Sequence, residues 1–181
     1  MRLEREQRAG AVVKWWYGLQ PRVEQGRTIP GDRAALARLR RADTVMQASM
    51  IPTTLDLCAR LGVAPDEVGT VALIAAILAH VREDGDERFA RQIGGRADDD
   101  RLISSLRFQR LIEAAEPNAQ LTAFRRAIAQ ARRRARISDL AESLLDWNHP
   151  ERGDQRRQRW LYDYYHTNDP SAPGANMEIT A

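Results

Sequence analysis

The 181-residue chain contains one cysteine, one lysine and three histidines. A lone Cys58 excludes a disulfide framework and any zinc site built from several cysteines, and fits a reducing compartment. His80, His149 and His166 stand far apart, in no metal-ligand or cysteine–histidine spacing. Neither a Gly-x-Ser-x-Gly elbow nor a Gly-Lys-Ser/Thr phosphate loop occurs, and Gly94-Gly95-Arg96 reads as a flexible turn, too little for a phosphate cradle. The longest apolar run, Thr70 to Val81, is too short to span a bilayer and contains His80. The first eight residues alternate charges and lack the apolar stretch of a secretory signal, so the expected location is cytoplasmic. Asp98-Asp99-Asp100 is the densest acidic cluster, but three consecutive carboxylates cannot all face one ion. It is expected to be a solvated loop capping the helix that follows. These absences predict no catalytic residue, no metal and no cofactor.

What the chain does have is helical periodicity and arginine. With 43% hydrophobic and 29% charged residues it is apolar enough to fold. No stretch alternates like a strand, and the fold class predicted is all-α. Helices are expected over 3–19 (burying Val12, Val13, Trp16 and Leu19), 32–41 with Asp32 as N-cap, 52–62, 65–81, a short one holding Phe89 and Ile93, then 101–114, 118–136, 138–147 and 151–166. Pro21, Gly26, Pro30 and Gly31 make 20–31 a loop. The apolar helix 68–81 should be central in the N-terminal half, with His80 a hydrogen-bonded core residue and Cys58 buried. The polar stretch 83–100 suggests a joint between two small helical bundles, 1–97 and 98–167, and residues 168–181 read as a disordered tail. Trp147, Trp160, Leu161, Tyr164 and Tyr165 are expected to pack in the core.

Of the 28 basic residues, 27 are arginine, and they are unevenly placed. Residues 67–100 hold 4 basic and 8 acidic groups, whereas 101–166 hold 13 and 8. Six arginines and no acid lie between Ala119 and Ile137. On a continuous helix, Leu121, Phe124, Ile128, Ala131 and Ala135 would form an apolar stripe flanked by Arg125, Arg132 and Arg136, with Arg126 and Arg133 further round. Positions seven apart rise about 10.5 Å, a plausible ladder for successive phosphates. Like charges so crowded need a polyanion or distant carboxylates to neutralise them. Arg38, Arg40 and Arg41 form a second cluster, and Arg107 with Arg110 a third. Arg152, Arg156 and Arg159 instead share a face with Asp163.

An ordered set of short signatures runs through the chain: Trp15-Trp16-x-x-Leu19, Asp32 to Arg41, Leu106-Arg-Phe-Gln-Arg-Leu-Ile112, Phe124-Arg-Arg126, Asp146-Trp147 and Arg159-Trp-Leu-Tyr-Asp-Tyr-Tyr165. In order and spacing these resemble the CasB family, the small subunit of the type I-E CRISPR Cascade surveillance complex. The resemblance implies an all-helical fold of two small bundles and no catalytic activity, cleavage belonging to a separate nuclease-helicase. It also implies partners: guide RNA, target DNA, other Cascade subunits and a second copy in a dimer. The family's nucleic-acid contacts fall, by motif, on Arg40, Arg41, Arg107, Arg125 and Arg126. Arg110 joins them as the neighbour of Arg107, and Arg132, Arg133 and Arg136 on charge alone. Arg40, Arg41, Arg107, Arg110, Arg125 and Arg126 are expected to be exposed and to converge on one face. Two other readings are a free-standing helix-turn-helix regulator, which needs a polar recognition helix, and an all-α scaffold whose arginines bind acidic proteins.

Overall fold

Capping side chains, prolines and glycines divide the chain into helices. The computed structural model describes residues 4–167, so the expectation for the tail from Asn168 lies outside the described residues. Helix α1 (Arg5–Leu19) opens where the Glu4 amide donates to the Gln7 side chain at 3.2 Å, and it ends ahead of Pro21. The expected loop after it contains a hairpin, β1 (Arg22–Glu24) against β2 (Arg27–Ile29). Gln25 and Gly26 both take positive φ at its tip, the geometry that suits a two-residue turn between twisted strands. Asp32 caps α2 (Arg33–Arg41) as expected, accepting from the Ala35 amide at 2.8 Å. Thr44 caps α3 (Val45–Ser49), α4 (Pro52–Leu61) starts on a proline, and Gly62 closes α4 in the left-handed conformation.

A 3₁₀ turn at Pro65–Glu67 leads into α5 (Val68–Leu78), followed by the two-residue strand β3 (Glu83–Asp84) and α6 (Phe89–Ile93). The second half comprises α7 (Ser105–Glu113), α8 (Pro117–Gln130), β4 (Arg134–Ala135), α9 (Ile137–Trp147) and α10 (Gly153–Tyr164). The fold is all-α, the strands being limited to two short pairs among the described residues.

Helix α5 is the hub. Val71 to Ala79 are all buried, and α5 packs against α2, α3, α4, α8 and α9. A helix apolar all round has no solvent face, so neighbours must surround it. The buried cluster around it is continuous from Val12 to Tyr164. Trp15 and Trp16 bury their rings and donate to the Thr53 and Leu78 carbonyls, at 3.1 Å each. Trp15 is therefore a core residue alongside Trp16, and Val13 is only partly buried. A second aromatic group joins Phe89, Phe124, Trp147 and Trp160, with neighbouring ring centroids 4.9–5.9 Å apart. Phe108 stacks on Tyr164 at 3.8 Å. Leu161 and Tyr165, expected in the core, are instead exposed.

The segment 83–100 is bonded to the second half of the chain. β3 pairs with β4 in parallel, the Phe89 amide donates to Asp139 at 2.9 Å, and the Gly95 amide donates to the Tyr164 carbonyl at 2.9 Å. Asp98–Asp100 is an exposed 3₁₀ turn that does not cap α7. Ser104 occupies the N-cap there, and Asp98 pairs with Arg101.

Candidate nucleic-acid interface

Helix α8 carries the centre of the basic surface and ends earlier than its composition suggests. After Gln130, Arg132 and Arg133 adopt φ of 54° and 61°, a left-handed pair uncommon for residues other than glycine. The turn sends the chain into β4, where the Arg133 carbonyl accepts from the Arg82 amide at 2.8 Å. The Ile137 amide then donates to Asp84 at 2.8 Å. The ladder of Arg125, Arg132 and Arg136 along one helix therefore does not form. Arg136 bonds to Ser138 and to the Asp86 carbonyl, and Arg134 pairs with Glu83 and Asp86. The apolar stripe survives the break: Leu121, Phe124, Ile128, Ala131 and Ala135 are all buried.

Two arginine sets flank α8. On one side, Arg125 donates to the Arg40 and Ala42 carbonyls at 2.6 and 3.2 Å, closing the C-terminal end of α2. Arg40 donates in turn to the Ala79 carbonyl at the end of α5, at 2.6 Å. These contacts suit cations at helix C-termini, where unpaired carbonyls and the helix dipole favour positive charge. Both side chains are half-buried rather than exposed, whereas Arg41 is exposed with no partner among the described residues. Burial lowers the Arg40 pKa, and nearby Arg82 and Arg133 lower it further. Arg82 was not singled out from the sequence, because it stands alone beside acids there.

His80 sits within this set, and the expected hydrogen-bonded core histidine is not found. Its Nε2 is buried without a partner. Burial, then Arg125, Arg133 and Arg40, hold its pKa down at about 4, so it is neutral at physiological pH. The ring thus adds no further charge to a crowded cationic corner.

On the other side of α8, Arg126 faces Arg107 and Arg110 of α7 across a groove of about 370 Å³. All three are exposed, and none has a hydrogen bond or ion pair among the described residues. No carboxylate lines the groove, and the one acid on α7, Glu113, accepts from Gln109 at 2.8 Å. Arg132 is also exposed and unpaired.

The remaining arginine cluster is a stabilising one. Asp146, 3% exposed at its side chain, accepts from Arg5 at 2.7 Å, Arg152 at 2.9 Å and Arg156 at 3.0 Å. Arg159 pairs with Asp163 at 3.7 Å, as its spacing suggested. Among the described residues, no group of three or more His, Cys, Asp or Glu could hold a metal ion, and no helix is long and apolar enough to cross a membrane.

A family model described as CRISPR-associated protein Cse2 matches residues 33–165, from the start of α2 through α10. The chain belongs to the Cse2 family. Cse2 is the small subunit of the type I-E Cascade complex, also called CasB, so membership makes this chain a CRISPR Cascade subunit. The Cse2 match includes both arginine sets and Asp146, and leaves α1 outside. No curated protein and no solved structure matches the chain.

The two sides of α8 respond differently to substitution. Arg125→Ala strips two helix-end carbonyls of a charged donor and should cost about 2 kcal/mol of stability. Arg126→Ala should stay within about 0.5 kcal/mol, as exposed unpaired side chains do. Thermal melts of the two single variants check this. Equal, small shifts would show that the Arg125 contacts contribute nothing.

Proposed function

We propose that the chain is a non-catalytic, nucleic-acid-binding subunit that holds opened target DNA against an RNA-guided Cascade complex. The displaced strand and the guide–target hybrid are its ligands, and guide RNA, target DNA, other subunits and a second copy of this chain are its partners. The observation that carries this reading is the set of three unpaired guanidinium groups, Arg107, Arg110 and Arg126, around an acid-free groove. A solvated charge face is usually interspersed with carboxylates, as where Arg134 meets Glu83 and Asp86; this one is not.

The chemistry suits the task. Guide pairing supplies sequence specificity, so the protein needs only to hold backbone. Opening exchanges one duplex for another of similar stability, so a few phosphate contacts tip the balance. Planar guanidinium forks grip phosphate bidentately without reading bases. Arg40, Arg41, Arg82 and Arg133 extend the positive field beyond the groove. Arg125 contributes mainly by fixing the end of α2 that carries Arg40 and Arg41, a positioning role. Arg132 adds an exposed charge next to Arg133 in the chain, and Arg136 is taken up by its own contacts.

The test is binding of single-stranded oligonucleotides across a salt series. Neutralising about four phosphates gives a log–log slope near −3. Replacing Arg107, Arg110 and Arg126 by alanine should flatten that slope and weaken target opening by the assembled complex, with guide binding retained. A wild-type slope near zero, or tight binding to one duplex sequence alone, would sink the reading.

A further inference from the structure

The groove between α7 and α8 has a second property that phosphate binding does not require. Its floor is apolar: Ile103, Leu111 and Ala127 are buried within it, and Ala123 is partly so. Arg107 and Arg110 stand one turn apart on one wall, and Arg126 stands on the other. The Gln130 side chain lies at the edge with no partner among the described residues, offering an amide donor and acceptor. A surface meant for backbone alone would be polar throughout. Here a water-excluding floor sits beneath three cations.

We propose that this groove seats one unstacked nucleobase of a single strand, with its flanking phosphates on Arg107, Arg110 and Arg126. The base face lies on the Ile103–Leu111–Ala127 floor, and Gln130 reaches its edge. A guanidinium plane offers a stacking surface as well as a charge. One Gln amide can satisfy either a donor or an acceptor, so the seat tolerates every base. The volume is at the small end of ligand pockets, which run from about 300 to 1,000 Å³. The groove, at about 370 Å³ with three arginines and no carboxylate in its lining, suits a flat ring with negatively charged neighbours. A base paired inside a duplex cannot enter, so the site selects displaced or splayed strand. The inference rests on the nucleic-acid reading above and adds a preference for unpaired bases to it.

The experiment compares an intact single-stranded oligonucleotide with an abasic strand of the same length, which keeps the phosphates and removes the bases. Wild-type protein should bind the intact strand about tenfold more tightly, with equal salt slopes for both. Ala123→Leu, which fills the groove and leaves every arginine in place, should erase that tenfold difference while keeping the slope. Equal affinity of wild type for intact and abasic strands, with a full salt slope, would overturn the base seat alone. Absence of salt-dependent binding to either strand would overturn the nucleic-acid reading itself. The wild-type comparison decides the matter even if Ala123→Leu folds poorly. An acidic peptide displaced from wild type by alanine replacement of the three arginines, with strand binding untouched, would give the groove to a protein partner and refute the proposal.

Discussion

Asp146→Ala is expected to lower stability by about 3 kcal/mol and the melting temperature by roughly 10 °C. The carboxylate is buried, and Arg5, Arg152 and Arg156 converge on it from α1, the loop before α10, and α10 itself. Removing one partner of a buried ion pair costs about 3–5 kcal/mol, because the other charge is left without compensation. The lower end applies here. Arg5 and Arg152 are 48% and 40% exposed and can rehydrate, whereas Arg156, at 15%, keeps only the longer contact with Glu142 at 3.7 Å. The pH dependence identifies the cause. Burial alone would raise the Asp146 pKa, but the hydrogen bonds from Arg5, Arg156 and Arg152 overcome it and hold the carboxyl at about 2. A carboxyl with its folded pKa below its unfolded value stabilises above the unfolded value, near 3.8, and loses that contribution as pH falls through 2. The gap between wild type and Asp146→Ala should therefore be constant at neutral pH and narrow between about pH 4 and pH 2. His80 titrates in both proteins and cancels in the difference. A gap unchanged down to pH 2 would mean that packing, not charge, holds the site.

Gly94→Ala should be at least as damaging, by about 4 kcal/mol, read as a fall in the urea midpoint. A methyl group at this position collides with the backbone of Tyr164. The φ of −95° is open to any residue, so the obstacle is contact rather than conformation. Neither side can yield cheaply. Tyr164 stacks on Phe108, its hydroxyl donates to the Ile103 carbonyl at 2.6 Å, and its own carbonyl accepts from the Gly95 amide. Gly10→Ala is the control: nothing lies near its Cβ in mid-α1, and it should gain about 0.5–1 kcal/mol from helix propensity. Similar midpoints for the two variants would show that α6 and α10 are not locked together at Gly94.

These two sites mark where the sequence could and could not be read. Asp32, Pro52, Gly62 and Pro65 act locally, through caps and fixed backbone angles, and the helix ends they mark are visible in the chain itself. The burial of α5 is equally legible, because a helix without a polar face has one place to go. Gly94-Gly95, by contrast, looks like a flexible turn because glycine permits flexibility; its rigidity comes from Tyr164, seventy residues away. The end of α8 has no local signal at all. Arg132 and Arg133 are good helix formers, and the turn is set by pairing with Glu83 and Asp84. That long-range choice removed the single-helix arginine ladder. It also brought Arg133 to Arg40 and Arg82, a grouping that no linear pattern contains. Arg125 and Arg126 are chemically identical neighbours on α8, yet one closes a helix end and the other borders the groove; only the packing of α2 and α7 separates them.

The packing of α7 and α8 has an entropic consequence. Fixing the backbone of one residue costs about 1–2 kcal/mol, and an arginine-rich tail meets that cost at the moment it grips a strand. Here the backbone beneath Arg107, Arg110 and Arg126 is ordered in advance by Phe108, Leu111, Phe124 and Ile128, all of them buried. If the surface binds a strand as proposed, only side-chain rotamers remain to be frozen on binding. On the proposed function, a short footprint is therefore enough to hold a strand, where a flexible tail of the same charge would need a longer one.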